Sequence, residues 1–324
     1  MTSAPTLPWS SIALGCEALG GADWGAVDPK QLGAAVRCAL ERGIAVFDTA
    51  DVYGLGRSER ELSRALGADR YHVTVVTKGG VRWDEGRGRA RTWKDASPRY
   101  LASALEASLT RLRLDAVPVY LVHWPDPATP LGETLDFLEL ARCEGKVVAY
   151  GLSNHSPDGL RAALDTHPVS VLEEEVSLLS GDGVIERLAD ARQKGLCTLA
   201  YGALAQGLLS GKYPPGARFD HTDRRHRLDL FSGDAFHRNW HLLAALDDIA
   251  REIGATPAQV AIRWVSGSGA ASAVIVGAKT PEQVHENWTS ASIRLTDSHL
   301  ERLGRARQAA GLVDPHDPKH GASA

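Results

Sequence analysis

Short apolar stretches alternate with amphipathic helical segments along almost the whole chain of 324 residues. The stretches are nearly continuous in apolar residues, which is typical of strands in a parallel sheet that is covered on both faces. We predict strands at residues 12–15, 44–48, 73–78, 117–123, 147–153, 170–176, 197–201 and 273–277. Eight repeats of strand and helix predict an α/β fold, a single (β/α)8 TIM-type barrel, or failing that an open doubly wound sheet.

Helix start signals fall between these strands. Asp28, Ser97 and Thr129 each precede a proline, the pattern of an N-cap residue followed by proline at the first helical position. Gly43 ends the first of these segments. Further helices are predicted at about 157–165, 183–194, 235–253, 257–266 and 281–287.

Two connections are much longer than the others, residues 79–97 after strand three and residues 202–234 after strand seven. Both are rich in glycine, charged and aromatic residues. Long loops in a compact domain are commonly functional, and loops that follow barrel strands lie at the catalytic end. We expect one barrel domain over residues 1–324, with a partly ordered tail from about residue 308.

Composition argues against several classes of protein. The chain is 44% hydrophobic and 23% charged with a net charge of −4, which gives no electrostatic reason to bind nucleic acid or an acidic membrane surface. It lacks a run of about 18 apolar residues and a signal-peptide pattern, so we expect a cytoplasmic protein. The cysteines form no CxxC pair, and the histidine pair His237/His241 lacks further ligands, so we expect no metal site.

Polar side chains interrupt the apolar runs where the predicted strands end. They are Asp48, Lys78, His123, Ser153, Asn154 and Tyr201, together with the run Glu173–Glu174–Glu175 in strand six. Any one of them alone is best interpreted as a solvated or structural residue. Together they would share one rim, where barrel enzymes carry their chemistry and where a buried lysine and aspartate could pair.

Six segments of the chain contain most of these polar residues: FDTADVYG (47–54), VVTKGG (75–80), YLVHWPD (120–126), YGLSNH (150–155), AYGALAQGLLSGKY (200–213) and VIVGAKTPEQVHEN (274–287). In order and spacing they resemble the signature segments of the aldo-keto reductase superfamily. The resemblance covers about residues 10–300. It implies NADPH-dependent reduction of an aldehyde or ketone, with a catalytic tetrad of Asp48, Tyr53, Lys78 and His123.

The tetrad suits carbonyl reduction, which needs a proton on the developing alkoxide. Tyr53 would donate that proton, although a free phenol has a pKa of about 10. A Lys78 ammonium about 4 Å away would lower the pKa of the phenol by up to about three units before burial opposes it. Asp48 would hold the ammonium, and His123 would orient the substrate oxygen.

No GxGxxG motif follows a strand, so a nicotinamide cofactor would be held without a Rossmann fingerprint. The resemblance implies that Ser153, Asn154 and Glu173 contact the carboxamide and that Tyr201 stacks on the ring. It implies further contacts along the cofactor, to the pyrophosphate and then the adenosine phosphate end, from Gly207, Leu208, Ser210, Lys212, Gly277, Lys279, Thr280, Gln283, Glu286 and Asn287. Lys279 opposes the dipole of the following helix unless an anion neutralises it, which favours NADP(H) over NAD(H).

Glu173 departs from the family pattern, which has glutamine there. A one-residue slip in register would instead turn Glu174 or Glu175 towards the barrel. Trp24, Trp83 and Trp124 are candidates for the pocket of a small carbonyl substrate, with a sugar or a secondary metabolite as the candidate substrates, and otherwise pack at the rim. Two other functions stay open: a cofactor-binding regulatory subunit of the same fold, and a sugar dehydrogenase that runs in the oxidative direction.

Overall fold

The computed structural model describes residues 7–84, 90–214, 216–231, 233–310 and 312. Eight parallel strands close into a barrel in chain order, because the first strand pairs with both the second and the last. This confirms the predicted (β/α)8 barrel. Its strands are β1 Ile12–Gly15, β2 Val46–Asp48, β3 Thr74–Gly79, β4 Val117–Val122, β5 Val147–Ser153, β6 Val171–Glu175, β7 Cys197–Tyr201 and β8 Ala273–Gly277.

The bounds of β1, β5, β7 and β8 are those predicted, whereas the other four strands start or end elsewhere. The apolar runs 44–48, 73–78 and 170–176 extend beyond the paired residues. Ile44, Val73 and Val176 lie outside their strands yet are only 3%, 9% and 2% exposed. Apolar character therefore marks burial under the surrounding helices, not membership of the hydrogen-bonded ladder.

Helices surround the barrel: α1 Pro29–Glu41, α2 Arg57–Leu66, α3 Pro98–Leu112, α4 Leu131–Cys143, α5 Pro157–Thr166, α6 Asp182–Gln193, α7 Gly233–Ile253, α8 Pro257–Gly267, α9 Pro281–Thr289 and α10 Asp297–Gln308. Ser97 caps α3 as predicted. The start predicted at Thr129 is wrong, because α4 begins at Leu131 and the Thr129 hydroxyl donates to Asp126 Oδ2 at 2.7 Å. Helices α2 and α10 were not predicted, since charged residues dominate both sequences.

The barrel interior is filled by side chains that point inward from alternate strand positions, including Val46, Val76 and Val171. Leu7 and Trp9 pack against this layer. Two residues further along the same strands, the next inward positions are polar: Asp48, Lys78 and Glu173. The sheet geometry thus stacks a charged layer directly above an apolar one.

The two long connections carry structure of their own. After β3, the strands Val81–Trp83 and Thr92–Lys94 form an antiparallel hairpin. After β7, the connection contains short 3-10 helices at Ala205–Ser210, Arg224–Arg227 and Asp229–Phe231. It also bridges to the loop after β1, where the Arg224 amide donates to the Asp23 carbonyl at 2.9 Å.

The predicted tail starts at Gln308, the last residue of α10. Most of it, residues 311 and 313–324, lies outside the described residues. In the part of the chain that the structure describes, no helix has the combination of length and apolarity needed to cross a membrane.

Candidate active site

Lys78 and Asp48 form a buried ion pair at the carboxyl ends of β3 and β2. Lys78 Nζ lies 2.5 Å from Asp48 Oδ2 and donates to the Thr49 carbonyl at 3.1 Å. Burial alone would lower the pKa of Lys78, but the carboxylates of Asp48 and Glu173 raise it above its usual value. The ammonium is therefore charged at neutral pH.

Tyr53 lies in the turn that follows β2 and leads into α2. Lys78 Nζ is 5.6 Å from the centroid of its ring. The pKa of Tyr53 is raised, because burial of the phenol outweighs the opposing effect of the Lys78 charge. The Lys78 charge thus lowers the pKa of the phenol as expected, but burial opposes it more strongly, and the phenol is protonated at neutral pH.

His123 lies immediately after β4, with its ring edge-on to Tyr53 at 5.7 Å between centroids. Trp124 stacks on the His123 ring, with 6.3 Å between the centroids. Burial and then the Lys78 charge hold the pKa of His123 well below its usual value, so the ring is neutral. A neutral imidazole has one N–H donor and one acceptor nitrogen for a ligand.

Glu173 faces into the barrel, whereas Glu174 faces outward and pairs with Arg187 at 3.2 Å. Glu173 Oε1 lies 3.2 Å from Lys78 Nζ, an ion pair that the sequence did not predict. Burial, and next the neighbouring Asp48 carboxylate, raise the pKa of Glu173 to about 8. Its Oε2 atom is buried without a hydrogen-bond partner among the described residues. A contact to a cofactor carboxamide stays a prediction.

Ser153, Asn154 and Tyr201 form one hydrogen-bonded group beside the tetrad. Asn154 has a left-handed backbone, with φ of 62°. Its Nδ2 donates to the His123 carbonyl and to Ser153 Oγ, both at 3.0 Å, and the Tyr201 hydroxyl donates to its Oδ1 at 2.7 Å. The last bond fixes the half-buried ring of Tyr201 at the rim.

The residues predicted to line a pyrophosphate follow β7. Gly207 has a φ of 96°, and a Cβ there would lie 3.2 Å from the Tyr213 ring. Leu208 is buried in the core, and the Ser210 hydroxyl donates to the Gly207 carbonyl at 2.6 Å. Lys212 is exposed, 4.0 Å from Glu286. A pyrophosphate could therefore contact the backbone of this segment and the Lys212 ammonium, but not the buried side chain of Leu208.

Lys279 and Thr280 stand at the start of α9. Thr280 is the N-cap, whose hydroxyl accepts from the Gln283 amide, and the Lys279 amide donates to Gln283 Oε1 at 2.7 Å. Lys279 Nζ donates to the Trp24 carbonyl at 2.6 Å. Burial and then Arg225 lower the pKa of Lys279. Among the described residues, no carboxylate lies in ion-pair contact with this ammonium.

The predicted adenine-side residues are held within the fold. Asn287 is buried, and its Nδ2 donates to the carbonyl of Gly277 at 3.3 Å. Glu286 Oε1 accepts from the Thr256 hydroxyl at 2.8 Å. These bonds fix α9 against β8 and α8.

The three tryptophans are placed differently. Trp124 stacks on His123, and Lys94 Nζ lies 5.2 Å from its ring centroid. Trp24 packs near Lys279, whose Nζ lies 5.9 Å from its ring centroid. Trp83 lies half-buried on the hairpin after β3. The geometry therefore brings Trp124 directly to the tetrad and places Trp24 beside Lys279.

Two charged residues at this rim were not predicted, Glu17 and Arg224. Glu17 follows β1 by two residues, and its Oε1 lies 2.7 Å from Arg224 Nη1. Glu17 could have been found as another polar residue after a strand. Arg224 could not, because it comes from the middle of the long connection after β7.

Comparison with known proteins identifies the family of the chain. The model of the Aldo/keto reductase family matches residues 11–308. The aldo-keto reductase YhdN of Bacillus subtilis is 31% identical over 278 residues, 85% of this chain and 83% of that protein. A Mycobacterium tuberculosis protein named uncharacterized oxidoreductase Rv2298 is 34% identical over 312 residues, 93% of this chain and 90% of that protein.

Solved structures show the same fold. The glycerol dehydrogenase AKR11B4 of Gluconobacter oxydans aligns with a TM-score of 0.86 at 30% identity, covering 97% of this chain and 96% of that chain. An aldo-keto reductase of Klebsiella pneumoniae in complex with NADPH aligns with a TM-score of 0.72 at 25% identity, covering 94% and 95%. The chain therefore belongs to the aldo/keto reductase family.

Proposed function

We propose that this protein reduces an aldehyde or ketone to an alcohol with NADPH, and that Tyr53 is the general acid. The observation that carries the proposal is the convergence of a protonated Tyr53, a charged Lys78 and a neutral His123 at one end of the barrel. These are the groups that a carbonyl oxygen needs as it becomes an alkoxide.

The chemistry that NADPH supplies when bound is the hydride for the carbonyl carbon. Tyr53 donates its phenolic proton to the carbonyl oxygen. The Lys78 ammonium, 5.6 Å from the Tyr53 ring centroid, stabilises the phenolate that this transfer leaves. Asp48 keeps Lys78 charged and in place, because its Oδ2 is 2.5 Å from Nζ.

His123 orients the substrate. As a neutral ring with one N–H, it donates a hydrogen bond to the carbonyl oxygen without competing as a stronger acid than Tyr53. Its stacking on Trp124 restricts the ring plane, so the donor is positioned before substrate arrives.

The residues present fit NADP(H). Ser153 Oγ accepts from Asn154, which leaves its own proton available for a carboxamide oxygen, and the fixed ring of Tyr201 offers a stacking face. Lys279 lacks a carboxylate partner among the described residues and stands at the start of α9, an arrangement suited to a phosphate. The Klebsiella pneumoniae relative in complex with NADPH supports the same cofactor.

Oxidation of an alcohol by the same groups in reverse is a second candidate. It is favoured by the name of the Gluconobacter oxydans relative, a glycerol dehydrogenase. In that direction the Tyr53 phenolate accepts the proton, so activity should rise with pH where the reductive reaction falls.

The direct test is to follow NADPH consumption with propanal and glyceraldehyde, and NADP⁺ reduction with the matching alcohols. We expect turnover in both directions, with reduction faster at neutral pH. A protein that binds NADPH but turns over none of these substrates would be a cofactor-binding subunit, and the proposal would fail.

The cofactor choice is tested with Lys279→Ala. Loss of a charge-assisted phosphate contact should weaken NADPH binding by about 10- to 150-fold. NADH, which lacks the 2′-phosphate, should bind the variant and the wild type about equally. Isothermal titration of both cofactors decides, and an equal loss for both would make Lys279 a structural residue.

A further inference from the structure

Glu17 lies at the mouth of the barrel on the first residue of the 3-10 helix after β1. Its negative charge acts on Tyr53 and raises the pKa of that phenol more than the charges of Asp48 or Glu173 do. The same 3-10 helix packs directly against the proton donor, because a Cβ added to Gly20 would lie 2.9 Å from the Tyr53 carbonyl carbon. Residues three apart in a 3-10 helix lie on one face, so Glu17 is next to Tyr53, although none of the sequence motifs contains it.

Arg224 reaches the same place from the connection after β7. Its Nη1 lies 2.7 Å from Glu17 Oε1, and its guanidinium lies 5.7 Å from the centroid of the Trp24 ring. Its backbone amide donates to the Asp23 carbonyl, which fixes the segment across the loop after β1. The carboxylate of Glu175 is a second negative charge that acts on Arg224.

Both side chains remain open to a ligand, because each keeps 30% of its surface exposed. The pair carries no net charge, and Glu175 adds a further carboxylate nearby. An anionic substrate would gain little here, since the Arg224 charge is already compensated. A hydroxyl group suits the pair better, because it can donate to the carboxylate and accept from the guanidinium at once.

We propose that the Glu17–Arg224 pair determines substrate specificity by binding a hydroxyl group next to the carbonyl carbon of a small, uncharged, hydroxylated substrate. This inference rests on the proposed reductase function and names its substrate class. A polar site of this kind rejects an apolar analogue, because the pair would lose its water without regaining hydrogen bonds.

The test compares glyceraldehyde, propanal and succinic semialdehyde as hydroxylated, apolar and anionic aldehydes. Arg224→Ala should lower kcat/KM for glyceraldehyde by about 10- to 150-fold, mainly through KM, and change it for propanal by less than about threefold. Glu17→Gln, which keeps the side-chain shape, should show the same selectivity with a smaller loss. The dissociation constant of NADPH should not change in either variant.

Arg227→Ala is the matched control. Arg227 belongs to the same 3-10 helix, but its Nη2 pairs with Asp23 Oδ1 at 3.3 Å, whereas Arg224 pairs with Glu17. The proposal is overturned if Arg227→Ala causes the same loss, or if Arg224→Ala lowers activity equally on propanal, because the effect would then come from the loop. It is also overturned if succinic semialdehyde suffers most.

The outcomes for the two proposals differ. If the wild type reduces propanal and does not prefer glyceraldehyde, the proposed reductase function stands and the proposed role of the Glu17–Arg224 pair is overturned. If the wild type reduces none of the three aldehydes, both proposals are overturned.

Discussion

At the scale of single residues, Glu173 changes the charge balance around Lys78. Two carboxylates, those of Asp48 and Glu173, lie within 2.5 Å and 3.2 Å of one ammonium. Three ionised groups would leave one uncompensated buried negative charge, which is why burial and Asp48 raise the pKa of Glu173 to about 8. Below this pH the cluster is neutral, and above it Glu173 adds a negative charge.

This titration predicts a pH-dependent cofactor preference. The oxidised nicotinamide is cationic and the reduced one neutral, so ionised Glu173 should favour NADP⁺ over NADPH. The ratio of NADP⁺ to NADPH affinity in the wild type should rise by about tenfold between pH 7 and pH 9, the effect expected of two charges about 12 Å apart at an effective dielectric of 20. In Glu173→Gln it should stay constant. Titration of both cofactor forms at the two pH values measures this, and equal behaviour of the two proteins would refute the electrostatic role.

The site residues that the sequence could predict are polar residues at the ends of apolar strands. Asp48, Lys78 and His123 interrupt apolar runs at points that a closed barrel must bring together. The partners of Lys78 beyond Asp48 were not predictable, because an ion pair depends on side-chain reach across three strands. The location of Arg224 at the site was not predictable for a different reason, because it depends on how a long connection crosses the barrel mouth.

At the scale of elements, the turn between β2 and α2 holds Tyr53 in place. Gly54 follows Tyr53 with a φ of 58°, and a Cβ there would collide with the backbone of Gly20. The two glycines let this turn and the 3-10 helix after β1 approach without side chains. This close contact also places Glu17, on the same 3-10 helix, near Tyr53.

Gly54→Ala should therefore displace Tyr53. We expect kcat to fall by about 100-fold, the usual scale for a misplacement of about 1 Å, in a protein that is still folded at low temperature. Gly43→Ala is the control, because Gly43 has a φ of 77° but nothing within 4 Å of an added Cβ. Gly43→Ala should lose about 1–2 kcal/mol of unfolding free energy to backbone strain alone, and Gly54→Ala should lose more because of the collision with Gly20. Equal turnover in the two variants would show that the contact does not position Tyr53.

Element types were more predictable than element edges. The N-cap signals of α1 and α3 were sufficient because proline and a short polar side chain fix the first turn. The sequence predicts only a loop where the hairpin after β3 forms, since its strands span three residues each. It does not predict α2, because charged residues dominate the helix and much of what it buries is polar, including Ser58, Glu59 and Ser63.

At the scale of the whole molecule, hydrogen bonds and an ion pair from α10 hold the end of the described chain against the barrel. Arg307 is 9% exposed, and its guanidinium donates to the carbonyls of Leu178 and Ser180 at 3.0 Å and 2.7 Å. It also pairs with Asp182 at 2.8 Å and lies 4.8 Å from the Trp264 ring centroid. One side chain thus joins α10 to the segment after β6 and to α8.

Arg307→Ala should lower the free energy of unfolding by about 2–3 kcal/mol, since two buried carbonyls would lose a charged donor. Arg305→Ala is the control, because Arg305 is 69% exposed and 3.9 Å from Glu301. That change should cost less than about 1 kcal/mol. Denaturant unfolding of both variants provides the comparison, and similar losses would mean that α10 is not fastened through Arg307.

The central claim, that a protonated Tyr53 supplies the proton in carbonyl reduction, is tested most directly by Tyr53→Phe. Single-turnover oxidation of bound NADPH by propanal should be measured alongside NADPH affinity. We predict a rate about 10²–10⁴-fold lower, the usual contribution of a positioned proton donor, with NADPH affinity within about threefold of the wild type. A variant that binds NADPH normally and reduces propanal at nearly the wild-type rate would contradict the account.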